Sequence, residues 1–150
     1  MGFTELRRWL RHQHPMVLLD RVLDHEPGQF IEARVSVSGN LDVIAGHFPE
    51  RGIYPGTHMI QAFAQTCILL HAVSSAPMAE DELTLITSAK SRFFEPVVPG
   101  DQITFRTDVH RALGKATFFR GKASVEDVRI AAFDGGLVRV HESELGPPPW

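Results

Sequence analysis

The sequence predicts an α+β domain in which an antiparallel sheet curves around one buried helix. Three observations carry that reading. From Thr57 to Val73 the chain holds no Pro or Gly, and apolar residues recur at Met59, Ile60, Phe63, Ala64, Cys67, Ile68, Leu70 and Ala72. This is the pattern of a helix of about 17 residues, roughly 25 Å long, apolar around most of its girth and therefore buried. Every flanking run is strand-like, rich in Val, Ile, Phe and Thr and punctuated by turn residues. Finally, the 150 residues suffice for one hydrophobic core and show no repeat or internal boundary.

In chain order, Phe3 to Arg11 places Phe3, Leu6, Trp9 and Leu10 at helical spacing, a short N-terminal helix with an arginine-rich outer face. Met16 to His25 reads as a strand, Glu26-Pro27-Gly28 as a turn, and Phe30 to Ser38 as a second strand paired back on the first. A loop from Gly39 to Ala45 leads to a lone histidine, His47, and to the breaker pair Pro55-Gly56 that opens the long helix. After a polar loop, Ser74 to Asp81, four strands follow: Leu83–Phe94, Gln102–Ala112, Ala116–Val125 and Arg129–Val140. Alternation at Ile103, Phe105, Thr107 and Val109 gives the sheet one buried face. Gly135-Gly136 suggests a bulge or an early strand end. The domain spans 1–141, and 142–150, with Pro147-Pro148-Pro149, reads as a flexible tail. A sheet broad enough to bury this helix leaves edges that a second subunit would cover most simply.

Composition excludes several classes. The hydrophobic share is 43%, the charged share 22% and the formal net charge −3, with no basic run to attract nucleic acid or an anionic membrane. The single cysteine, Cys67, falls within the buried helix, so no internal disulfide forms and a reducing compartment is expected. There is no signal-peptide core and no long apolar run, which predicts a soluble, cytoplasmic protein. His12 and His14 are too few for a zinc site, and no phosphate loop or nucleophile elbow appears, so no metal and no cofactor are expected.

Function enters through GHFPERGIYPG (46–56), flanked by HPMVLLDRV upstream and RFFEPVVPGDQI downstream. Together these segments resemble the hot-dog-fold 3-hydroxyacyl-[acyl-carrier-protein] dehydratases, in that family's order and spacing, over residues 10 to 133. The resemblance implies a six- or seven-stranded sheet around the helix, a dimer joined edge to edge, and active sites shared between protomers. It implies His47 as the catalytic histidine, with the backbone carbonyl of Ile53 holding its other ring nitrogen. The N–H of Gly56, at the helix start, would face the thioester carbonyl. The residue types suit the chemistry: imidazole exchanges protons near neutral pH, and a helix N-terminus stabilises developing negative charge.

The sequence departs from the family at one decisive place. The acid supplied by the opposite protomer is here Gln61, and an amide cannot donate a proton as a carboxylic acid does. Gln65, one turn on, matches a supporting position. His58 replaces an apolar residue and shares a helix face with Gln61, so it could assume part of the acid's work or serve as a hydrogen-bonded interface residue. Three active readings follow. The chain dehydrates a 3-hydroxyacyl group borne by acyl carrier protein, accepting Gln61. Alternatively, it pairs with a paralogous subunit that supplies the acid, or it is a hot-dog thioesterase. A fourth reading is a non-catalytic acyl-binding scaffold. Arg7, Arg8, Arg11, Lys90 and Arg92 are candidate contacts for the carrier protein.

Overall fold

The computed structural model describes residues 1–147. Helix α1 (Phe3–Leu6) precedes strands β1 (Arg21–Glu26) and β2 (Phe30–Ser36), the short helix α2 (Asp42–Gly46) and the long helix α3 (Gly56–Ser74). Strands β3 (Glu82–Phe93), β4 (Gln102–Leu113), β5 (Ala116–Val125) and β6 (Val128–His141) complete one six-stranded antiparallel sheet in the order β1-β2-β4-β5-β6-β3. The chain thus adopts a hot-dog arrangement, a sheet wrapped around one long helix. No helix among the described residues is long and apolar enough to cross a membrane.

The sheet bends because its ladders are irregular. Every pairing except β2–β4 carries one register shift, including that between Ile86 and Ser88 opposite β6; such bulges raise local twist and curl a sheet around what it covers. What it covers is α3, with Met59, Ala62, Phe63 and every residue from Gln65 to Leu70 buried. The alternation of β4 faces as its sequence suggests: Ile103, Phe105 and Thr107 are inward and fully buried, and the Thr107 hydroxyl meets that of Thr66 at 2.6 Å.

Phe63 is the pin between helix and sheet. Its ring stacks on Phe133 at 4.9 Å and lies over Gly121 and Gly135, where an added Cβ would sit 2.4 Å and 2.8 Å from ring carbons. The paired glycines therefore neither end β6 nor bulge it. The irregularity sits in β3 opposite, and Gly135 makes room for an aromatic ring.

Four local expectations change. The N-terminal helix is shorter than Phe3–Arg11, since i→i+3 bonds at Arg8 and Trp9 replace the α pattern; of its apolar set only Leu6 and Leu10 are buried. The first strand begins at Arg21 rather than Met16. The preceding backbone is engaged by a side chain: Gln65 accepts from the Leu18 N–H at 3.0 Å and donates to the Met16 carbonyl at 2.5 Å. The loop before His47 contains α2. The tail does not begin extended: Glu142–Leu145 form a 3₁₀ turn, capped as the His141 side chain accepts from the Ser143 N–H and the Glu144 carboxylate accepts from the His141 N–H. Pro148 to Trp150 lie outside the described residues.

Strand β3 is an edge. It runs for 12 residues, and Leu85 and Ile86 expose 38% and 41% of their surface. A long edge with exposed apolar residues is one that natural sheets normally cover.

Candidate active site

Helix α2 ends at Gly46 and hands the chain to His47, whose N–H donates to the Ile44 carbonyl at 3.2 Å. The chain then turns back, and the Ile53 N–H donates to the His47 carbonyl at 2.8 Å. This closes a small loop on itself and sets the imidazole. Nδ1 lies 3.0 Å from the Ile53 carbonyl. A carbonyl only accepts, so Nδ1 carries the hydrogen of the neutral ring and Nε2 is left with a free lone pair. The Phe48 ring stacks on the imidazole at 4.2 Å.

The helix start supplies the complementary charge. Pro55 has no N–H and its side chain offers no cap. Among the described residues the N–H groups of Gly56 and Thr57 have no backbone acceptor, while His58 and Met59 both donate to the Pro55 carbonyl. Unpaired donors at the first turn of a 19-residue helix form an anion-favouring point. Glycine at 56 answers a close approach: an added Cβ would meet the Phe93 ring at 2.8 Å.

His47, Ile53 and Gly56 share one cleft of about 290 Å³, completed by Tyr54, Met59, Phe93, Phe94, Pro96 and Val97, with Glu95 in its wall. Tyr54 is buried, and that burial, reinforced by the Asp20 carboxylate, pushes its phenol up to about 12. It stays neutral at any ordinary pH.

The remaining sequence-predicted residues fall elsewhere. Gln61 is half-buried on α3 and does not line the His47 cleft of its own chain. Gln65 is fully buried with both amide atoms bonded to the Met16–Leu18 backbone. His58 stands edge-on to Tyr54 with ring centres 5.7 Å apart. Of the candidate carrier contacts, Arg7 lies over Phe3 and Arg11 beside Glu142. Only Arg92 reaches the cleft rim, over the Phe94 ring at 5.6 Å. Arg129, which sequence spacing does not single out, lies over the same ring at 5.1 Å. Glu95 is likewise silent in the sequence. Its neighbours Phe94 and Pro96 mark a strand end, and nothing in local periodicity says that the end faces His47. Cys67 is buried and its thiol is raised well above its ordinary range, as suits a packing residue.

Residues 10–134 match the model of the FabA-like domain. The chain belongs to the FabA-like family. It is 49% identical over 150 residues to a coronafacic acid dehydratase of Pseudomonas savastanoi pv. glycinea, covering 100% of this chain and 91% of that one. It is 38% identical over 132 residues to a 3-hydroxyacyl-[acyl-carrier-protein] dehydratase FabZ of Actinobacillus pleuropneumoniae serotype 5b, covering 87% and 86%. The dehydratase heterocomplex ApeI:P of Xenorhabdus doucetiae shares the fold, with a TM-score of 0.77 at 21% identity over 93% of each chain. The resemblance read from GHFPERGIYPG is thereby a family membership, and the named relatives are dehydratases.

Proposed function

We propose that this FabA-like chain removes water from a 3-hydroxyacyl thioester carried by an acyl carrier protein, in fatty acid or polyketide-type biosynthesis. The observation that carries the reading is the pairing, in one cleft, of an imidazole with its Nδ1 hydrogen bonded to the Ile53 carbonyl and the open helix start at Gly56. Nε2 takes the α-proton, and the thioester oxygen accepts from the Gly56 N–H as charge moves onto it. The electrons of the broken C–H bond become the Cα=Cβ bond, and the β-hydroxyl leaves as water once it gains a proton. His47 and Gly56 are the residues we assign to base and oxyanion donor. Gln61 on a partner subunit is assigned to orienting the leaving hydroxyl, and His58 shares its helix face.

Association completes the proposal. The uncovered β3 edge suits pairing with a second hot-dog subunit, and Gln61 does not line its own chain's cleft. A homodimer places Gln61 opposite His47, whereas a paralogous partner could place a carboxylate there. The ApeI:P dehydratase, which shares this fold, is itself a heterocomplex, and that supports the second arrangement as a specific alternative.

Purified protein incubated with 3-hydroxyacyl carrier protein, followed by mass spectrometry for loss of water, tests the proposal. Turnover abolished by His47→Ala is the expected result. Hydrolysis of the thioester without dehydration would replace this reading with a thioesterase.

A further inference from the structure

The reaction needs a proton for the departing hydroxide, and Gln61 has none to give. Apart from His47, the cleft contains two titratable side chains, Tyr54 and Glu95. Tyr54 is poorly suited to giving its proton up, because burial and the Asp20 carboxylate both hold that proton on the phenol. Glu95 is placed differently. It lies two residues past the end of β3, and its N–H and that of Phe94 both donate to the Ile130 carbonyl, at 3.4 Å and 2.8 Å. Its backbone is therefore anchored to β6 at the rim of the cleft while its side chain is exposed.

Among the described residues the Glu95 carboxyl enters no ion pair. The two arginines of this rim, Arg92 and Arg129, lie over the Phe94 ring instead. The Glu95 carboxylate is thus left unpaired in the wall that also holds His47.

Resting on the dehydratase reading, we infer that Glu95 is the general acid of this site, supplied by the same chain as His47, in place of the carboxyl that Gln61 lacks. Nε2 of His47 removes the α-proton, the C–H electron pair forms the Cα=Cβ bond, and the Cβ–O bond breaks with its pair on oxygen. The protonated Glu95 carboxyl gives that oxygen its proton, so water leaves. The imidazolium proton then passes through solvent to the carboxylate, restoring both groups with no other reactant consumed.

The test uses the full chain and a 3-hydroxybutyryl carrier protein, with kcat and KM for wild type, His47→Ala, Glu95→Gln, Glu95→Asp and Gln61→Glu, and Glu80→Gln as a carboxylate control outside the cleft. A lost general acid lowers kcat by about 10²- to 10⁴-fold. Glu95→Gln is expected to show that loss with KM little changed, Glu95→Asp to recover part of it, and Glu80→Gln to match wild type. Gln61→Glu introduced into the Glu95→Gln protein is expected to restore turnover, because a carboxyl then returns to the family position. Glu95→Gln retaining wild-type kcat while His47→Ala is dead overturns the role of Glu95 and leaves the dehydratase reading intact. An inert wild type rescued by Gln61→Glu does the same, since the acid is then missing. A wild type inert with or without Gln61→Glu overturns both.

Discussion

Gly121→Ala should be among the most costly single-methyl additions this chain can suffer. The Cβ would lie 2.4 Å and 2.8 Å from two carbons of the Phe63 ring and 3.3 Å from the Arg106 carbonyl, a backbone atom in the neighbouring strand. The ring cannot step aside. Phe133 stacks on it at 4.9 Å, and the space over Gly135 is also closed, with a Cβ position 2.8 Å from the ring. Overpacking a closed core costs about 1–3 kcal/mol, and a trapped ring belongs at the upper end. For a chain of this size that is a fall in Tm of about 6–12 °C, at roughly 2–4 °C per kcal/mol. Urea and thermal unfolding at fixed protein concentration measure it, since association shifts apparent stability. Phe63→Leu, which withdraws the far edge of the ring, should reduce the cost of Gly121→Ala by about 1 kcal/mol or more in a double-mutant cycle. A Gly121→Ala protein within about 0.5 kcal/mol of wild type, or strict additivity with Phe63→Leu, would refute the wedge.

Two further outcomes are expected. Gln65→Met keeps the volume but strands the Met16 carbonyl and the Leu18 N–H, at about 1–3 kcal/mol for each group that water cannot reach; it should lower Tm and speed amide exchange at Leu18, and unchanged exchange would argue against the tether. Burial lowers the titration of His12, and burial together with Arg139 lowers that of His71, from the ordinary 6.5. The unfolded chain then binds more protons, so stability is fully present above pH 6.5 and falls as acidification passes below it; replacing both residues by Gln should flatten that limb in pH-dependent urea unfolding.

Much of this architecture is legible in residue order because local signals agree with the fold. Pro55-Gly56 and the breaker-free run behind it locate α3 to within a residue at each end. The turn residues Gly114-Lys115 and Glu126-Asp127 bound β5 on either side, and the latter two adopt the left-handed conformation a tight hairpin demands. The illegible places are those where a distant partner decides. Met16 to Asp20 has strand composition, yet its backbone groups are claimed by a glutamine 47 and 49 positions away. Gly135 resembles a strand breaker until Phe63 is set against it. The Nδ1 contact of His47 closes over six residues and follows from the motif, whereas Glu95 reaches the same cleft only through the pairing of β3 with β6. No periodicity encodes that.

The Phe63 wedge also bears on how such a site can be retuned. Phe63 lies seven positions beyond Gly56, about 10 Å along the helix axis, so the ring that grips the sheet also holds the N-terminal end of α3 at its depth. Trimming it to widen the cleft would loosen the unpaired N–H groups at Gly56 and Thr57 to which we assign the oxyanion role. Phe93 lines the cleft, but its ring packs on Gly56 itself and edge-on to Phe133, whereas Met59 lines it without lying over Gly56, Gly121 or Gly135. If the cleft takes an acyl chain as proposed, selection for new chain lengths, in nature or at the bench, is therefore channelled to Met59, with the aromatic pin left in place.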